Sequence, residues 1–173
     1  MLTGKNVTLR APSDDDVTAL CALRNDVDLQ LLLMSQPRPN TPKRVREWAW
    51  RMMEDPHSAF FVIESSGQVA GFLQIVRMNF LHGTGELGLC LKSDAQGQGV
   101  ATEALALAEN YAREVFNLRK LTLQVLSSNT RAVRFYEKSG FATAGVWQRH
   151  FYQRGAFRDV TLMEKFLTDE AAL

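Results

Sequence analysis

Apolar and polar positions along this chain follow two periods, and the switches between them delimit its elements. Val7 to Ala11 alternates and predicts a short strand. Pro12-Ser13-Asp14-Asp15-Asp16 then opens a helix, with Ser13 as N-cap and acids in the first turn, where the helix dipole favours them. Val17, Leu20, Cys21 and Arg24 follow at helical spacing. Between Asn25 and Asn40 the period is lost: a Leu-rich piece runs into Pro37 and Pro39, which predicts partly irregular chain. Thr41-Pro42 pairs an N-cap with proline at the first helical position, and the helix behind it carries Val45, Trp48 and Met52 as far as Asp55-Pro56.

Ala59 to Glu64 is rich in Phe, Val and Ile and predicts a strand. Ser65-Ser66-Gly67-Gln68 turns it back into a second, Val69 to Met78. His82 to Gly85 is another turn, followed by a strand from Glu86 to Leu91. Ala101 to Phe116 is the clearest helix, with Ala101, Leu105, Ala108, Ala112 and Val115 on one stripe. Leu121 to Leu126 alternates as a strand, and Thr130 to Ser139 is a helix stopped by Gly140. Phe141–Trp147 and Val160–Phe166 form a last strand pair around the turn at Arg154-Gly155. Hairpins joined by helical crossovers predict an α/β fold (α+β in its mixed, mostly antiparallel sheet) with helices on both faces.

Length and composition narrow the class. The 173 residues fit one domain, 1–173, with a core that needs no covalent staples. A formal charge of +1 argues against a strongly basic nucleic-acid binder. Cys21 and Cys90 form no CxxC pair and the histidines at 57, 82 and 150 are scattered, so no metal site is expected. The start of the chain has no apolar leader and no stretch is long and apolar enough to span a membrane. A cytoplasmic location is therefore expected.

Candidate chemistry concentrates between Glu86 and Ala101. A strand runs into Gln96-Gly97-Gln98-Gly99-Val100-Ala101 and a helix starts at once. A Gly-rich turn at a helix N-terminus presents backbone N–H groups with the dipole behind them, an anion site suited to phosphate. It lacks the Gly-Lys-Ser/Thr of a P-loop and the GxGxxG of a dinucleotide fold. Alone, it also reads as an ordinary tight connection.

Two spaced motifs extend this reading. Gln96-x-x-Gly99-x-Ala101 resembles the acetyl-CoA signature of the GNAT family of N-acetyltransferases, and Asn129-x-x-Ala132-x-x-x-Tyr136-x-x-x-Gly140-Phe141 resembles that family's second signature. The branch of ribosomal-protein N-terminal, polyamine and amino-sugar acetyltransferases is the most similar.

The resemblance implies a GNAT-like fold whose central strands splay apart, with acetyl-CoA as donor substrate and no metal. It places the pyrophosphate on the N–H groups of Gln98, Gly99, Val100, Ala101 and Thr102, beside Gln96 and Gly97. The pantetheine arm lies along Leu89, Cys90 and Leu91, where a strand N–H polarises the thioester carbonyl. Asn129 caps its helix near the same arm.

The acceptor is then an amine, and only its neutral form attacks, so a base must take a proton. Glu86 is the first candidate and His82 the competing one; either also reads as a solvated group. Tyr136 returns a proton to the leaving thiolate. Acceptor contacts are sought at Asn25, Met34, Arg77, His82 and Tyr152. A polyamine would need acids such as Asp26 and Asp28, and a nucleotide-linked sugar would use Lys43, Arg44, Arg46, Trp48 and Trp50. By analogy with the family the chain forms a homodimer through its last strands or the Leu29–Leu33 run. The alternative to an enzyme is an acyl-CoA-binding sensory module.

Overall fold

A computed structural model describes residues 1–168. Its strands are Leu2–Thr3 (β1), Val7–Arg10 (β2), Ala59–Ser65 (β3), Gln68–Asn79 (β4), Thr84–Leu91 (β5), Lys120–Leu126 (β6), Ala142–Gln153 (β7) and Ala156–Phe166 (β8). Its helices are Val17–Asn25 (α1), Val27–Leu32 (α2), Pro42–Glu54 (α3), Val100–Glu114 (α4) and Thr130–Lys138 (α5). The strands form one eight-stranded sheet in the order β1-β2-β3-β4-β5-β6-β8-β7.

Local chemistry accounts for most of these boundaries. Thr41 accepts the Arg44 N–H on its side-chain oxygen and Pro42 starts α3. Asn129 accepts the Ala132 N–H and starts α5. Gly140, at φ 90°, ends it in the left-handed conformation that suits a helix stop. The acidic run after Ser13 forms a 3-10 turn before α1, a refinement of the expected helix start. There the Ser13 N–H and hydroxyl both donate to the Asp16 carboxylate, at 2.7 and 3.0 Å.

Three expectations are corrected. β1 adds a strand beside β2, with Leu2 opposite Leu9. Within the stretch read as irregular, α2 forms, capped by the Asp26 carboxylate on the Leu29 N–H. β7 and β8 extend to a tight turn at Arg154-Gly155, because register shifts near Thr143 and between Trp147 and Phe151 interrupt the alternation that marks a strand in the sequence.

Strand alternation splits the core in two. One face of the sheet packs on α4 and α5 through Leu87, Leu105, Leu121, Leu123 and Met163. The other packs on α1 and α3 through Leu20, Leu23, Val45, Ala49, Phe60, Phe72 and Cys90. Trp48 stands edge-on to Phe60 and Phe72, with ring centroids 5.0 and 5.3 Å away.

Candidate active site

Every neighbouring strand pair is antiparallel except β5–β6, which is parallel and short. It pairs Thr84 with Lys120, Gly85 with Leu121 and Glu86 with Thr122, and no further. Beyond Glu86 the strands diverge, while β5 stays paired with β4 as far as Leu91 and β6 with β8 as far as Leu126. The gap opens a cleft of about 860 Å³. Its facing strand edges carry backbone groups that no strand pairs, the kind of edge that accepts an extended amide-bearing ligand.

At the wide end stands the turn into α4. Gly97 and Gly99 have φ 81° and 80°, the left-handed region that favours glycine, and a Cβ at either would meet no protein atom. Backbone conformation, rather than crowding by the protein, selects glycine here. The Glu103 N–H closes the first helical bond on the Gly99 carbonyl at 3.1 Å. The N–H groups of Gln98, Gly99, Val100, Ala101 and Thr102 have no acceptor among the described residues, as expected of a helix start. Gln96 braces the turn: its amide donates to the Leu91 carbonyl at 3.2 Å and accepts Arg131 at 2.6 Å.

The two candidate proton-transfer groups approach the cleft from opposite faces. Tyr136 projects from α5, 8% exposed, between Phe135 and Phe141. Burial, chiefly, pushes its phenol well above the ordinary tyrosine range, so the hydroxyl stays protonated at neutral pH. Glu86 sits at the vertex of the splay on the α1/α3 side. It pairs with Arg77 and accepts the Gln124 amide at 3.5 Å. Arg77 has φ 52° at a bulge in β4, so backbone strain and an ion pair meet beside the carboxylate. Cys90 lines the same cleft, and burial pushes its thiol up to about 12, which keeps it a protonated, non-nucleophilic thiol.

Most of the expected donor residues line this cleft: Leu89, Cys90, Leu91, Gln96, Gly97, Gly99, Ala101, Thr102, Asn129 and Tyr136. Gln98 and Val100 do not. The Gln98 side chain folds back onto the Asp94 carbonyl at 2.7 Å and Val100 is core, so only their N–H groups face the donor role.

The acceptor expectations fare differently. Met34 lines the cleft; Asn25, Arg77, His82 and Tyr152 do not. Asn25 ties α1 to the segment before α3, exchanging bonds with the Asn40 backbone at 3.0 and 2.8 Å. Arg77 reaches the site only through Glu86. His82 belongs to the β4–β5 turn, where its N–H meets the Asn79 side chain and its carbonyl meets Arg119. Tyr152 is 60% exposed near the tip of the last hairpin, against Phe157.

Sequence reasoning passed over Gln74, Gly88, Gln124 and Arg131, which also line the cleft. The alternation of β6 carried a signal for Gln124, whose neighbours Leu123 and Val125 are core. Among the described residues no group of three or more His, Cys, Asp or Glu side chains could hold a metal ion, and no helix is long and apolar enough to cross a membrane.

The profile of the acetyltransferase (GNAT) family matches residues 27–141. A spermidine N(1)-acetyltransferase of Escherichia coli is 34% identical over 111 residues, 64% of this chain and 60% of that protein, so the match spans less than two thirds of that relative. A ribosomal-protein-serine acetyltransferase of the same organism is 25% identical over 115 residues, 66% of this chain and 64% of that one. A spermidine N-acetyltransferase from Vibrio cholerae, solved with CoA and spermine, superposes with a TM-score of 0.88 at 25% identity, covering 95% of this chain and 97% of that one.

Proposed function

Because this chain belongs to the acetyltransferase (GNAT) family, we propose that it transfers an acetyl group from acetyl-CoA to a primary amine by direct attack. One observation carries this reading: the wedge between β5 and β6 leads to the Gly97–Gly99 turn, with Glu86 on one face and Tyr136 on the other.

The free N–H groups from Gln98 to Thr102 and the α4 dipole hold the pyrophosphate. The pantetheine arm fills the wedge and satisfies its unpaired strand edges. Glu86 takes a proton from the ammonium, directly or through a water. The neutral nitrogen attacks the thioester carbon, and a β5 N–H stabilises the developing oxyanion. The C–S bond breaks as Tyr136 protonates the departing thiolate; the attacking nitrogen gives its second proton through water to the tyrosinate, and Glu86 releases its own to solvent. The protonated state of Cys90 favours direct transfer over an acyl-cysteine intermediate.

The names of the relatives bring spermidine and the serine of a ribosomal protein into the acceptor range, with protein N-termini and amino sugars as the classes the resemblance adds. We further read the chain as a single transferase domain working in the cytoplasm as a homodimer, without nucleic acid or membrane partners. Support for the dimer comes from β7, a sheet edge in a hairpin that exposes Val146, Trp147, Tyr152 and Phe157. Leu29 and Leu33, by contrast, are spent on the cleft wall. Light scattering tests it, and a monomeric mass removes it.

The activity is tested by following thiol release from acetyl-CoA with a panel of amines. Turnover on at least one amine is expected. Acetyl-CoA binding without transfer to any amine would instead support the sensory-module alternative, and the absence of both would reject the reading.

A further inference from the structure

The charge inventory of the cleft separates this chain from an enzyme for polycations. Strand alternation puts Glu86, Gly88 and Cys90 on the α1/α3 side, where an acceptor meets the thioester. Among the described residues lining the cleft, Glu86 is the sole carboxylate, and Arg77 already pairs with it. Asp26 caps α2 on the Leu29 N–H and Asp28 is engaged with Arg154, and neither lines the cleft. A chain of ammonium groups would find no second anion to hold it.

The wall opposite is built from Leu29, Leu33, Met52 and Phe72, with Trp48 among them. Into it projects Arg24, half-buried at the end of α1. Its guanidinium lies 4.7 Å from the Trp48 ring centroid and donates to the Gln30 amide oxygen at 3.2 Å. Gln30 is itself 1% exposed and anchored on the Leu23 carbonyl at 3.0 Å, so the guanidinium is held in place from both sides. Among the described residues Arg24 makes no ion pair, unlike Arg10, Arg46, Arg77, Arg113 and Arg154. A partly desolvated, fixed fork of N–H donors in an apolar wall suits a carboxylate.

Resting on the transferase reading above, we infer that the acceptor is a monoamine with an apolar or aromatic body and a carboxylate, and that Arg24 is the residue that reads that carboxylate. The aromatic wall takes the body, Arg24 the carboxylate, and the amine reaches the thioester near Gly88.

Two matched pairs test this at two amine-to-carboxylate spans: L-phenylalanine against L-phenylalaninamide, and 4-(2-aminoethyl)benzoate against 2-phenylethylamine, with spermidine beside them. In at least one pair the carboxylate member is expected to show a tenfold or greater advantage in kcat/KM, carried by KM, and to exceed spermidine. Arg24→Gln should collapse that ratio toward one, and Arg24→Lys should keep part of it. Spermidine as the best acceptor, a ratio near one in both pairs, or a ratio unchanged in Arg24→Gln would overturn the inference while leaving acetyl transfer standing. No transfer to any amine and no acetyl-CoA binding would remove the transferase reading itself.

Discussion

On the α4/α5 face of the sheet, the groups offered to a donor are largely backbone: N–H groups at a helix start and the unpaired edge of a strand. On the α1/α3 face, the groups offered to an acceptor are side chains drawn from α1, α2, α3, β4, β5 and β6. A backbone device needs only a few residue types at fixed spacing, here glycines with positive φ and a helix immediately behind them. A side-chain device disperses its determinants over the chain. The first leaves a motif in the sequence and the second leaves a surface.

The most forceful way to break this division is at Tyr136, a side chain on the proposed donor face. Tyr136→Phe should lower kcat by about 100-fold or more, the scale of a lost general acid, while acetyl-CoA affinity measured by calorimetry changes little. An equal loss of affinity would make Tyr136 a binding residue instead. The same burial gives a sign in pH. The folded pKa of Tyr136 is raised, so the stability contributed by its neutral form is complete below about pH 10, where the unfolded phenol begins to ionise, and is lost above it. Wild-type Tm should fall there more steeply than that of Tyr136→Phe.

The acceptor face has its own polar anchor. Arg10 bonds Asp16 at 2.7 and 2.8 Å and Glu64 at 2.7 Å, which fixes the entry to α1. Burial opposes the Asp16 charge, but Arg10 and Ser13 outweigh it and hold the carboxyl below its usual range. Asp16→Asn should destabilise by about 2 kcal/mol, roughly 30-fold in the unfolding equilibrium, with a drop of several degrees in Tm. Because the folded pKa is depressed, the contribution is present above about pH 4 and lost as pH falls below it. A flat acid profile in the difference between wild type and variant would assign the loss to packing.

Gly99→Ala tests the backbone device directly. Holding a side chain in the left-handed region costs roughly 1–2 kcal/mol; the free chain escapes this by relaxing the turn and binding must restore it, so acetyl-CoA affinity should weaken by about tenfold, with acceptor KM unchanged. An affinity within twofold of wild type would show that the turn does not set donor binding. The smallest effect is expected at Arg131→Ala, which removes one brace from Gln96. A net hydrogen bond of about 1 kcal/mol corresponds to a loss of roughly fivefold or less in the same titration.

The same contrast explains what the sequence disclosed. The β3–β4 hairpin, β5, the turn and α4 were legible because burial, capping and glycine φ agree on them at each position. α2 was not, because its buried face carries Gln30, whose amide serves Leu23 and Arg24 and so breaks the apolar period. β7 was cut short because its bulges, including Arg149 at φ 51°, interrupt the alternation and most of the strand is exposed. Of the site, Glu86 and Tyr136 line the cleft, whereas Asn25 closes α1 onto Asn40, His82 belongs to the β4–β5 turn and Tyr152 to the last hairpin.

The three residue pairs that join β5 to β6 bear on the lifetime of the protein. Two blocks of sheet meet at a seam that the chain itself leaves mostly unstitched, so a molecule lying in the seam acts as a removable strand. By mass action, a ligand at 100 times its Kd adds about 2.7 kcal/mol to the folded state. A ligand seated in that seam should therefore make the chain more resistant to proteolysis as its concentration rises.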